Sequence, residues 1–228
     1  MGLRGGGVLA MWWDADPAGD ADMNEWHARE HFPERLGIPG FLRGRRFTGG
    51  GHPTYFTLYE AEGVEVFGHP AYLERLNHPT DWTRRALASF RNMKRTAYRV
   101  VAARGVTDGG VMATLELQPA DPGRLREWLR AEALPALVER QGVVAAHLCE
   151  PDYERTTVDT EEKKLRSQPD ALAGWLLLVE GIDPDLVWSA LVPLQGGELA
   201  RHGASDELLL RLYRLAFALD RPALRGGR

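Results

Sequence analysis

Cysteine is nearly absent: the chain of 228 residues holds one, Cys149. A single thiol excludes an internal disulfide framework, and with no CxxC partner it reads as a small buried hydrophobe. Long apolar runs are missing too. The longest, Leu172 to Val179, falls far short of the roughly 20 residues that span a bilayer. The apolar stretch in MGLRGGGVLAMWWD is too short for a secretory signal, and no small-residue cleavage site follows it. Nor is there a basic excess. Lys and Arg number 28 against 32 Asp and Glu, a formal net charge of -4, which removes the electrostatic footprint of a nucleic-acid binder. No G-x-S-x-G, P-loop or helix-opening G-x-G-x-x-G occurs. Gly5-Gly6-Gly7 and Gly49-Gly50-Gly51 stand before expected strands, so serine-hydrolase and nucleotide readings fall away. These absences predict a cytoplasmic protein with neither nucleic acid nor membrane as partner.

What is present is a repeat. Hydrophobic residues make up 44% and charged residues 26%, enough for a packed core. Glu25-Trp26 and Glu30-x-x-Pro33 recur as Glu127-Trp128 and Glu132-x-x-Pro135, and the same spacing sets Gly40 on Gly142 and Gly7 on Gly109. Later the register lengthens: Glu60 in YFTLYE matches Glu180 in WLLLVE, and Tyr98-Arg99 matches Tyr213-Arg214. Each copy reads β-α-β-β-α-β. Strands are expected at Val8–Trp13, Phe41–Thr48, Tyr55–Glu60 and Thr96–Ala103. In the second copy they fall at Val111–Leu117, Val143–Cys149, Gly174–Glu180 and Leu209–Ala218. Asp20 or Asp22 is expected to cap the first helix, and Pro39-Gly40 to end it. Pro70 and Pro79 break the helical region from Val64 to Phe90. The fold class is therefore α+β: two tandem ferredoxin-like units, residues 1–107 and 108–228. Burying the open face of each antiparallel sheet predicts that the two pack face to face as a pseudo-dimeric α+β barrel. The extra residues of the second copy, 151–170, are polar and lack periodicity. A loop of that length is either disordered or functional, for instance a lid.

Trp26-x3-Glu30-His31-x-Pro33, followed by Pro39-Gly40-Phe41, resembles the helix-to-strand signature of the dimeric α+β-barrel superfamily, and most nearly its EthD-like branch. That superfamily includes cofactor-free monooxygenases, muconolactone-type isomerases, polyketide cyclases and haem enzymes, so fold does not select among them. The resemblance implies a small-molecule pocket with His31 as its polar group, while the basic stretch from Arg84 to Arg104, with Trp82 and Phe90 beside it, suits an aromatic or anionic ligand. A homodimer is a possible assembly.

Polar residues found in the first copy alone are the functional candidates. His27, His31, Arg43, Arg45 and Tyr59 stand opposite Leu129, Ala133, Ala145, His147 and Val179. The expected catalytic pair is His31 and Tyr59, with His27, Arg43, Arg45, Trp82 and Arg84 binding substrate. His31 would act as acid or base, and the arginines would hold developing negative charge. The expected activity is a cofactor-independent isomerase, cyclase or monooxygenase-like reaction on an aromatic, lactone or polyketide-like anion. His27-x-x-Glu30-His31 is formally an inverted zinc-protease pattern, but Pro33 follows closely and no third ligand is clustered, so no metal is expected. Trp26, Glu30 and Pro33, kept in both copies, are expected to hold the fold. Two alternatives stay open. One is a non-catalytic ligand-binding or structural barrel. The other is a haem protein with His147 or His202 as axial ligand.

Overall fold

The computed structural model describes residues 2–166 and 168–221. The chain forms two compact units, neither contiguous in sequence. The first gathers Arg4–Tyr98, Asp152–Leu172 and the segment from Ala216; the second gathers Gly2, Leu3, Arg99–Pro151 and Ala173–Leu215.

In the first unit, β1 (Gly7–Ala15) and β2 (Phe41–Thr48) flank β3 (Tyr55–Ala61), all antiparallel. The opening residues of β4 (Phe90–Gly105) and the closing residues of β8 (Ala204–Asp220) extend the order to β4-β1-β3-β2-β8. The second unit is built likewise from β5 (Val111–Pro119), β6 (Val143–Pro151) and β7 (Trp175–Gly181), in the order β8-β5-β7-β6-β4. The fold is α+β with antiparallel sheet throughout these pairings. Leu209–Ala218, rich in helix formers, lies inside β8: pairing with β5 overrides its propensity.

Strand alternation sends Leu9, Met11 and Trp13 of β1 and Tyr55 and Tyr59 of β3 to the helix side of the first sheet. There they meet Met23 and Trp26 of α1 (Asp20–Trp26) and Phe32 and Leu36 of α2 (Phe32–Leu36). α3 (Pro70–Asn77) and α4 (Asp81–Leu87) complete the layer. Trp13, Trp26 and Phe32 are fully buried, and burial of side chains this size contributes about 1.5–3 kcal/mol each.

Pro33 does not end the first helix. α1 passes through a π turn, His27–His31, into α2. Proline lacks an N–H and its ring clashes with the carbonyl four residues back. The wider turn relieves this, with the Phe32 N–H bonding the His27 carbonyl five residues away. The second unit does the same before Pro135: α5 (Pro122–Trp128), a π turn at Leu129–Ala133, then α6 (Leu134–Val138), with Leu134 N–H on the Leu129 carbonyl. Gly19, not Asp20 or Asp22, is the N-cap, and both aspartates lie in the first turn, where the helix dipole favours them. Gly40 and Gly142 follow the helices at φ +89° and +82°, left-handed positions that favour glycine.

The polar insertion folds onto the first unit. It carries α7 (Tyr153–Thr156) and α8 (Glu161–Lys164). Backbone bonds fasten both ends to β4: Asp152 N to Ala97 O at 2.8 Å, Ala171 N to Met93 O at 2.9 Å and Arg95 N to Ala171 O at 3.0 Å. The Thr156 hydroxyl accepts from Ala97 N at 2.9 Å, and Asn77 Oδ1 accepts from Glu161 N at 3.1 Å.

Candidate active site

The π turn puts His27 and His31 on the buried side of the helix, ring centroids 5.3 Å apart. His31 lies 4.3 Å from the Trp26 ring and 6.3 Å from Tyr59. Together with Trp13, Arg35, Tyr72 and Arg95, they enclose a chamber of about 30 Å³, room for roughly one or two waters. The insertion adds Glu162 and Arg166 to its wall.

Arg46 Nη1 is bonded to His27 Nδ1. Guanidinium can only donate, so His27 accepts there and is neutral with its proton on Nε2. Burial, then Arg46 and Arg35, hold its pKa well below the usual 6.5. His31 is likewise held well below that value by burial, then by Arg35, His27 and Arg166. Among the described residues its buried Nδ1 has no hydrogen-bond partner, and neither has the Tyr59 hydroxyl. Burial keeps Tyr59 a neutral phenol, its pKa raised well above 10. The chamber therefore offers an open imidazole nitrogen and a phenol, both neutral, among fixed cations.

Arg35 supplies the nearest fixed charge. It is 1% exposed, donates to Glu34 at 3.0 Å and is bonded to Glu162. Burial opposes its charge, but Glu162, Tyr72 and Glu34 outweigh that and raise its pKa. His31, Glu34 and Glu162 bring ligand-type atoms within 4.8 Å of one another, the set among the described residues that could hold a metal. Arg35 already bonds both carboxylates, and Arg75 pairs with Glu34 at 2.6 Å. A divalent cation would have to displace two guanidiniums, so these residues fit an ion-pair network better than a metal. Glu30 of the H-x-x-E-H pattern belongs to neither. It accepts from Thr80 at 2.5 Å and Thr83 at 3.2 Å, while Trp26 Nε1 donates to Thr83 Oγ1 at 3.1 Å. Both residues fasten the first helix to α4.

No family model and no curated protein matches this sequence. Among solved structures, an anthrone oxidase-like protein aligns over 95% of this chain and 93% of its own, with TM-score 0.60 and 12% identity. A candidate monooxygenase from Fusobacterium nucleatum aligns over 97% and 98%, with TM-score 0.59 and 10% identity. A haem-binding protein from Thermus thermophilus aligns over 98% and 94%, with TM-score 0.50 and 13% identity. At such identities the likeness is one of fold. The α+β, ferredoxin-like architecture is shared.

Of the residues singled out from sequence, His27, His31 and Tyr59 converge on the chamber. The others do not line it. Arg43 and Arg45 project to the opposite sheet face, where Glu60 accepts from Arg43 at 2.8 and 3.0 Å and pairs with Arg45 at 3.0 Å. The reason is alternation: Tyr59 pairs with Gly44, and Glu60 with Arg43. Arg46, not Arg45, shares the Tyr59 side. Trp82 donates from Nε1 to Asp22 at 3.1 Å, and Arg84 is exposed on α4. Neither haem candidate lines the chamber. His147 is wholly buried, 3.4 Å from Glu180, and His202 stacks on Trp128 at 4.1 Å. Sequence reasoning missed Arg35, Arg46 and Glu162. His27, His31 and Arg35 recur every four residues, a stripe that could have revealed Arg35. No local signal marks Glu162.

Proposed function

We propose that the chain is a tandem duplication of an EthD-like barrel unit and that its first unit is a small-molecule enzyme. It abstracts a proton from an enolisable or phenolic aromatic, with His31 as general base. The observation that carries this reading is the unpartnered His31 Nδ1 beside the unpartnered Tyr59 hydroxyl, next to Arg35. The cations that weaken His31 as a base also strengthen a bound phenol or enol as an acid, because its anion forms beside them. Tyr59 donates to the oxyanion that develops. One fold neighbour is named for anthrone oxidation, and anthrones have this chemistry: loss of a ring CH₂ proton yields an aromatic phenolate. Admission of such a ligand requires the side chains around the small chamber, Glu162 and Arg166 among them, to move.

The test is turnover of a panel of anthrones and aromatic lactones, followed by absorbance and oxygen uptake. His31→Gln is expected to lose about 10²–10⁴ in kcat, the range for a positioned acid or base, and Tyr59→Phe a smaller factor. An unchanged kcat in His31→Gln removes His31 from the mechanism.

The chamber volume of about 30 Å³ favours a second reading, a structural barrel whose pocket is filled with side chains. Absence of both turnover and tryptophan-fluorescence quenching with every member of the same panel would select it.

A further inference from the structure

Outside the chamber, the insertion and Arg95 enclose a second cavity, a cleft of about 460 Å³, within the range of small-molecule sites. Among the described residues Arg95, 5% exposed, gives its guanidinium only to the Tyr72 hydroxyl, at 3.1 Å, and the Thr156 carbonyl, at 3.3 Å. Lys163 there donates only to the carbonyls of Thr156 and Val158, each at 2.7 Å. Among the described residues no carboxylate forms an ion pair with either. Among the described residues the Thr160 hydroxyl, 3% exposed, has no hydrogen-bond partner, nor has Arg166 Nε. Two cations without a carboxylate in ion-pair contact and an idle buried hydroxyl thus line one cleft, a costly arrangement for an empty surface.

The geometry points to this cleft as a binding site for an organic anion, a carboxylate carried on an apolar body. Arg95, Lys163 and Thr160 take the oxygens, and Leu172 and Pro169 take the body. The charge balance agrees. Arg166 is bonded to Asp170, and Lys164 to Glu161 at 2.6 Å. Arg95 and Lys163 thus remain for a ligand, with Asp159 the opposing charge on the wall. The volume exceeds what a bare inorganic anion fills. Arg95 and Arg166 also line the buried chamber, so the cleft lies directly outside it. The inference does not depend on His31 acting as a base.

Titration calorimetry with benzoate, benzamide and inorganic phosphate on the full chain tests it. Benzoate is expected to bind at least tenfold more tightly than either benzamide or phosphate. Lys163→Gln, a half-buried position that leaves the core intact, should weaken benzoate at least tenfold, and Thr160→Val should weaken it severalfold. Burial, then Arg95 and Arg166, push the Lys163 ammonium down to about 8 against Asp170 and Asp159. Affinity should therefore fall as pH rises through 8 in the wild type and not in Lys163→Gln. No benzoate binding, equal binding of benzamide or of phosphate, or an unaltered Lys163→Gln would each overturn the assignment. Benzoate binding should persist in His31→Gln. Its persistence there beside lost turnover separates this site from the chamber, and its loss there would overturn the assignment.

Discussion

A buried charge is safe only while its partners stay, and Glu60 shows how local that dependence is. Its carboxylate, 0% exposed, faces Arg43, Arg45 and the Arg4 amide. Glu60→Gln should therefore cost about 3–5 kcal/mol, the usual result of breaking a buried pair, measured by urea unfolding. The two neutral histidines bring a different liability. Folding lowers their pKa values, so below about pH 6.5 the unfolded chain binds protons that the folded one refuses. Stability should be unaffected by them above pH 6.5. It should fall as the pH drops below that, by up to about 1.4 kcal/mol per pH unit for each histidine. Unfolding curves from pH 7.5 to 5 check this, and His31→Gln should flatten the slope.

At the scale of elements, the helix-to-strand turn is set by one residue. A Cβ on Gly40 would stand 2.6 Å from Val66 Cγ2 at φ +89°. Gly40→Ala should cost about 1–3 kcal/mol, and Val66→Ala in the same chain should recover the steric share but not the backbone share. This turn and every strand of both units were legible in the sequence, because alternation, Gly-rich turns and the repeat agreed. The face each strand residue takes was legible as well, had pairing been followed across β2 and β3. Tyr59 and Glu60 must point oppositely, so an arginine opposite Glu60 cannot serve Tyr59. The insertion was not legible. Its short helices have no apolar period of their own and are held by bonds to β4 that only the fold supplies. Thr156→Val removes the hydroxyl on Ala97 N, and hydrogen exchange should then quicken at Ala97 and through residues 153–166.

For the whole molecule, the two units share their π turns, glycines and buried glutamates but not their polar interior. Ala133 occupies the place of His31 and is packed in the apolar core of the second unit. Ala133→His should lower stability by about 1–3 kcal/mol, the cost of an unsatisfied buried polar group, without creating activity. His31→Ala should abolish turnover while the melting temperature holds or rises. Calorimetry with an activity assay decides between this asymmetry and equal use of both units. The insertion ties this asymmetry to the order of synthesis. Glu162 and Arg166 follow β5 and β6 in the chain, yet the chamber they wall belongs to the unit that begins at Arg4. As the nascent chain leaves the ribosome, β1 to β4 emerge with Arg35 still lacking Glu162. A translation arrest anywhere between residues 108 and 160 would release a chain that holds β1 to β4 but neither β8 nor Glu162, its chamber open on that side.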